Sequence, residues 1–505
     1  MANSKIFRDY SFIIIESANL LETEASNIKN YLIENGVRNP SKNIIIKKSS
    51  DLFALPQDTV SSISYIIAND INFPEYQFAN NNMLPIVKSS WVYASVKKGK
   101  MPTIKSYSPD PKYFFKSVQF VFDKTISSSD KLVLLSGIKA FGGQASDHVS
   151  TITTYIVSNE AEDSEKNLLV QKYNKLPDRE VTIKYIYPRW ITNCLVAKQK
   201  LDTTNYLLPI SKNSKNGSVA GDLVENDNTA AVRKFIVPEL DHFLKGKTFL
   251  LGDDLFLSDL TYSTLEKMIT SYGGKIVKTT TPEELMNFDS SINCYIGCYR
   301  EGFQYLAASR KKIDVGNLHW LFWMLSNSQW VSPLNNLLHY PYPRGGIEGM
   351  QNAVICTTSY IGDARQFIYS LVTMLGAKIT KSLTSNNTHL IVGNATGAKY
   401  EAARKWKVNC VNHLWLEDCF RNWQKMDIDN SKYTTFKNNP VVGSTKLDIE
   451  VLSKFFDMPE SRMLSLEFVP SQESQSQANG NMQANSSPEP EHEYETKHEI
   501  NPESS

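Results

Sequence analysis

The chain has 505 residues, 41% hydrophobic and 21% charged, and its formal net charge is +1. That length carries several domains, and that composition belongs to a globular chain rather than a disordered one. A near-neutral balance argues against binding nucleic acid by charge alone. The balance is uneven, however: residues 471–505 hold seven Glu and one Lys, a net of −6, which leaves +7 for the rest. No apolar run approaches the ~20 residues that span a bilayer, and MANSKIFRDY holds no secretory apolar core, so no membrane partner is expected. Six cysteines without framework spacing read as a reducing compartment.

In chain order one pattern recurs four times. Residues 5–104 offer a strand from Phe12 to Ile15, a helix closed by Gly36, and a strand from Ile63 to Ala68. A short helix from Tyr76 to Asn80 and the apolar run Leu84 to Val87 then precede Trp91. Residues 112–209 repeat this with Val118 to Phe122, Gly142-Gly143, Thr153 to Val157, a helix from Glu165 to Lys175, and Ile183 to Tyr187 before Trp190. Residues 210–236 are polar and aperiodic and read as a flexible linker. Residues 240–345 follow with Thr248 to Leu251, Gly273-Gly274, Cys294 to Ile296, and Ile313 to Val315 before Trp320.

The last unit, residues 350–440, is the clearest. Its first strand is Ala353 to Cys356. Phe367, Ile368, Leu371, Val372 and Leu375 then form an amphipathic stripe closed by Gly376, as a left-handed C-cap favours. Thr388 to Val392 is a buried-type strand, Lys399 to Trp406 a helix, and Val408 to Val411 a further strand. Trp415 and Cys419, four apart, share the face of a final helix. The order strand, helix, strand, strand, helix, strand, helix predicts α/β units, each a small four-stranded parallel sheet flanked by helices. Four such units form an internal repeat of about one small domain each. Their tryptophans read as core. Leu447 to Phe456 offers one short helix, and residues 458–505 read as a disordered acidic tail.

Few residues point to chemistry. Lys245-Gly246-Lys247-Thr248 imitates the end of a phosphate-binding loop, but a strand follows where a helix is required. Cys410, His413 and Cys419 lack the fourth ligand of a structural zinc site, and Cys294 and Cys298 stand apart. No metal, cofactor or catalytic residue is expected.

Thr388-His389, Lys399-Tyr400 and Trp415-Leu416-Glu417-Asp418-Cys419, at this spacing, resemble the second half of a BRCT domain. In phosphate-binding members the resemblance implies a Ser or Thr after the first strand, a neighbouring N–H, and a Lys opening the second helix. The matching positions are Thr357, Thr358 and Lys399, and Thr384 could add a hydroxyl. Such donors suit three phosphate oxygens. The corresponding pairs in the first three units are Glu16-Ser17, Asp123-Lys124 and Gly252-Asp253, where a carboxylate would repel phosphate.

Four units with a linker after the second, and the phrase Asp314-Val315-Gly316-Asn317-Leu318-His319-Trp320-Leu321-Phe322, resemble the N-terminal half of the fungal multi-BRCT scaffold family of DNA damage and replication forks. That resemblance implies a nuclear, non-enzymatic scaffold at damaged or stalled forks. Its implied partners are a nuclease scaffold, a cullin ubiquitin-ligase adaptor and a structural-maintenance-of-chromosomes complex, held through short motifs. Some motifs are expected to be phosphorylated and at least one unmodified. Direct binding of DNA ends or junctions is the alternative. In the tail, Ser471, Ser474 and Ser476 each precede Gln and resemble targets of DNA-damage checkpoint kinases, as bait for another protein's phosphate reader.

Overall fold

The computed structural model describes residues 6–50, 63–160, 164–177, 182–208, 242–277, 291–436 and 441–456. The expected linker 210–236, the tail 458–505 and Ser471, Ser474 and Ser476 lie outside the described residues. The described chain forms four parallel sheets of four strands. Unit one contributes β1 (Phe12–Glu16), β2 (Ile44–Lys48), β3 (Tyr65–Ile67) and β4 (Ile86–Val87). Unit two has β5 (Gln119–Phe122), β6 (Gln144–Ser146), β7 (Tyr155–Val157) and β8 (Lys184–Ile186). Unit three has β9 (Thr248–Leu251), β10 (Lys275–Val277), β11 (Cys294–Ile296) and β12 (Asp314–Gly316). Unit four has β13 (Val354–Thr358), β14 (Lys378–Thr380), β15 (His389–Val392) and β16 (Asn409–Val411). In every sheet the spatial order is second, first, third, fourth.

Three main helices flank each sheet. They are α1 (Glu22–Glu34), α2 (Tyr76–Asn81) and α3 (Ser89–Lys98) in unit one, and α4 (Ser128–Ala140), α5 (Ser164–Asn174) and α6 (Pro188–Ala197) in unit two. Unit three has α7 (Asp259–Ser271), α8 (Phe303–Arg310) and α9 (Leu318–Asn327); unit four has α10 (Gly362–Met374), α11 (Ala398–Lys405) and α12 (His413–Asn422). Period-two burial explains the apolar first strands: Phe12 and Ile14 enter one core of unit one, Ile13 and Ile15 the other. Trp406, expected as the end of the second helix, instead follows the last residue of α11 and is 43% exposed.

The recurring tryptophans are fully buried, and each has the same task. The indole N–H of Trp91, Trp190, Trp320 and Trp415 donates to the carbonyl of Pro102, Leu201, Val331 and Met426 respectively, at 2.9–3.1 Å. Each acceptor is eleven residues on. In units two and four the cysteine one turn after the tryptophan accepts the N–H of that same residue: Leu201 N to Cys194 Sγ at 3.3 Å, Met426 N to Cys419 Sγ at 3.2 Å. The Trp-x-x-x-Cys pattern therefore grips one loop residue by both its backbone groups.

Units two and three share one core. Helices α4 and α6 pack on α7 and α9. The approach is close enough that a Cβ at Gly137 would meet Leu195 Cδ1 at 2.6 Å and Phe322 Cε1 at 3.1 Å. Asp130 crosses the junction and accepts from Ser258 Oγ (2.6 Å) and Thr261 Oγ1 (3.0 Å). Units three and four share a second core, in which Tyr305, Leu337 and Leu338 meet Leu371, Trp415 and Phe420. After unit four the chain becomes a strap, residues 441–456, containing α13 (Ile449–Ser453). Val441 packs on unit one, while Leu447, Leu452 and Phe456 enter the core of units three and four. Fully buried Glu417 of α12 holds the strap, accepting from Gly443 N at 2.7 Å and from Thr445 Oγ1.

Candidate functional site

In unit four β13 runs two residues past the expected end at Cys356. Thr357 and Thr358 stay in the sheet because β15 still pairs with them, opposite Ile391 and Val392. Their burial follows, at 4% and 8% exposed. On the other edge β14 stops at Thr380, opposite Cys356. The carbonyl of Thr357 thus loses its ladder neighbour on that edge, and Lys399 Nζ, from the first turn of α11, donates to it at 3.3 Å. The same ammonium donates to Lys381 O at 3.0 Å. Thr357, Lys399 and Lys381 therefore meet at one corner. Thr384 lies in an exposed turn and is engaged there, its N–H and hydroxyl both donating to Asn387 Oδ1 at 2.8 and 3.1 Å.

The equivalent corners of the other units hold their own polar groups. In unit one Asp70 accepts from Ser17 Oγ (2.7 Å) and Asn19 Nδ2 (2.9 Å). In unit two Thr125 Oγ1 lies 3.1 Å from Ser158 Oγ and accepts from Asn159 N. In unit three Asp254 accepts the backbone N–H groups of Cys298 and Tyr299 at 2.7 and 2.9 Å. Burial lifts the Asp254 carboxyl to about 6 against those two hydrogen bonds. Its carboxylate fills the N–H pair that would otherwise face an anion.

The unit-four corner opens onto a larger feature. A cleft of about 1040 Å³ runs between the four units, lined by residues of each. Its walls include Met83, Leu135, Trp323 and Phe367, and they carry eight Lys or Arg side chains against one carboxylate, Asp363. That carboxylate is taken by Lys105 at 2.8 Å, which joins unit one to unit four. Burial alone would lower the Lys105 pKa, but Asp363 and Tyr113 outweigh it and raise it. Lys112 donates to Asn327 Oδ1 at 2.8 Å and ties the connection between units one and two to unit three. At the floor lie His319 and His339, with rings 5.6 Å apart. His319 keeps an exposed edge, and its cleft surroundings, Lys139 among them, push it down to about 4, while burial pushes His339 further. Both ring nitrogens of His339 are buried without a hydrogen-bond partner, a state that costs ~1–3 kcal/mol per unsatisfied group. The arrangement can seat an extended segment several residues long, apolar in part and acidic in part. This cleft was not legible beforehand, because no local pattern relates Lys105, Lys139, His319 and Asp363.

The repeated fold is one that comparison recognises. Residues 113–207 match the model of the BRCT domain, and residues 353–415 that of the twin BRCT domain. The chain thus contains BRCT domains at these two stretches. BRCT-containing protein 1 of Schizosaccharomyces pombe is 27% identical over 383 residues, 76% of this chain and 42% of that protein. Regulator of Ty1 transposition protein 107 of Saccharomyces cerevisiae is 25% identical over 481 residues, 88% of this chain and 44% of that protein. The chain is homologous to both over most of its length, and it spans less than half the length of either. Crystal structures of yeast Rtt107 with Slx4 and with Mms22 share the fold, with TM-scores of 0.69 and 0.71 at 22% and 23% identity. They cover 88% of this chain and 99% and 100% of theirs.

Proposed function

We propose that this chain is a non-enzymatic nuclear scaffold that recruits genome-maintenance complexes to damaged or stalled replication forks. It does so by seating short partner segments in the cleft between its four units. The observation that carries this reading is the cleft itself, with walls from every unit and a basic, partly apolar lining. Proteins of the same chemistry as the Slx4 and Mms22 crystallised with the yeast relative are the expected partners. Because three of the four corners are filled by the fold's own polar groups, most partners bind unphosphorylated. Unit four is the exception: there Thr357, with Lys399 beside it, receives a phosphorylated residue.

Selection of 16-residue peptides displayed on phage against the full chain tests this. Enriched peptides are titrated against the wild type and against Ser136→Trp and Ser370→Trp, which fill the cleft from α4 and α10. Both substitutions should weaken binding by at least about tenfold, and Lys399→Met should weaken only phosphorylated peptides, by ~1.5–3 kcal/mol, the worth of a charge-assisted bond. Peptides indifferent to both tryptophans would place the site elsewhere.

A further inference from the structure

We infer that the floor of the cleft is a carboxylate site, where Lys139 and His319, with His339 packed behind them, take an Asp or Glu side chain of the seated peptide. This rests on the cleft being the peptide site and adds the chemistry that anchors the peptide there.

The three groups come from two units whose helices α4 and α9 pack together. Lys139 is exposed to solvent in the cleft. Among the described residues no carboxylate lies within ion-pair distance of it; Asp147, on the same side of the unit, pairs with Lys131 at 3.6 Å. His319 projects from the first turn of α9 into the cleft. His339 lies behind it, 2% exposed, with Trp323 5.6 Å away on its other side. The fold supplies no acceptor for the N–H of His339 among the described residues. The charged groups facing the histidines are Lys139 from α4 and Asp363 from α10, and Asp363 is already held by Lys105. The floor thus holds an ammonium without a carboxylate partner and a histidine whose ring nitrogens have no partner among the described residues.

A carboxylate answers that imbalance. The ammonium offers a charge-assisted bond, and the neutral imidazole of His319 offers one N–H. A phosphate dianion fits less well, because one ammonium matches a single charge and leaves the second unpaired. The electrostatics agree: the same surroundings that disfavour protonation of His319 are relieved when an anion arrives. Peptide binding should therefore take up protons, and affinity should rise as pH falls.

The test uses the full chain and the phage-selected peptides that the cleft-filling variants displace. Each Asp or Glu in them is changed to Asn or Gln, and the peptides are titrated against wild type, Lys139→Met and Lys139→Arg near pH 6 and pH 7.5. One acidic position should cost about tenfold in the wild type and almost nothing in Lys139→Met, with Lys139→Arg restoring the difference. Wild-type affinity for the acidic peptide should rise towards pH 6, and that for its Gln counterpart should stay level. Cleft-binding peptides with no acidic position coupled to Lys139 would overturn this site and leave the proposed function standing. Tighter binding of phosphoserine than of Glu at the coupled position would overturn it in favour of phosphate. If no selected peptide is displaced from the cleft, the proposed function fails and this site fails with it.

Discussion

At Trp415 the ring and the indole N–H make separable contributions. The ring fills the core beside His389, stacked at 4.5 Å, while the N–H fixes the carbonyl of Met426. Trp415→Phe keeps most of the apolar burial and strands that carbonyl, so it should cost ~1–3 kcal/mol. Trp415→Ala should cost ~3–5 kcal/mol, because it also opens a cavity. Urea unfolding of the two variants measures the difference, and equal losses would mean the hydrogen bond contributes nothing. The tryptophans, their burial and the helical face they share with cysteine were legible in the sequence. Their hydrogen bonds were not, since the acceptor is a backbone carbonyl and carries no residue signature.

The strap, residues 441–456, shows what an element contributes when it belongs to no single unit. Its anchor, Glu417, is pushed up to about 7 by burial, against the hydrogen bonds from Thr445 and Gly443. The ordinary carboxyl value is 4.5. Between those two values the folded chain binds the proton and the unfolded chain does not, so stability falls as pH rises through that window. Glu417→Gln keeps an acceptor for Gly443 and removes the titration. Its unfolding free energy should be flatter than that of the wild type from pH 4.5 to pH 7, measured by urea unfolding at several pH values. Parallel profiles would show that Glu417 does not titrate there. Glu417→Ala should cost ~1–3 kcal/mol at any pH in this range, since Gly443 and Thr445 then lose their acceptor. The short helix at the end of the strap was expected from Leu447 to Phe456. Its grip on three units was not, because a single buried Glu in an apolar helix looks like a solvated residue until the strap covers it.

For the whole molecule, the shared core of units two and three matters more than the covalent link between them. A protease site inserted after Gly217 and cut should leave both halves eluting together in size-exclusion chromatography. The helices α4, α6, α7 and α9 remain packed, and Asp130 still meets Ser258 and Thr261. Separation of the halves would show that the linker holds them together. The repeat of four parallel sheets was determined by the sequence alone, because strand and helix periodicity are local and each unit buries its own first strand. So was the difference between the residues after the first strands of the first three units and those of the fourth, whereas Thr357 and Lys399 were paired by the resemblance to phosphate-binding BRCT domains, and the fold brings the Lys399 ammonium to the Thr357 carbonyl. The cleft was decided only by tertiary structure. Its lining joins Lys105, Lys139, His319 and Asp363, residues that no helical or strand period connects. Their charges have meaning together only once packing removes the water that would otherwise screen each of them.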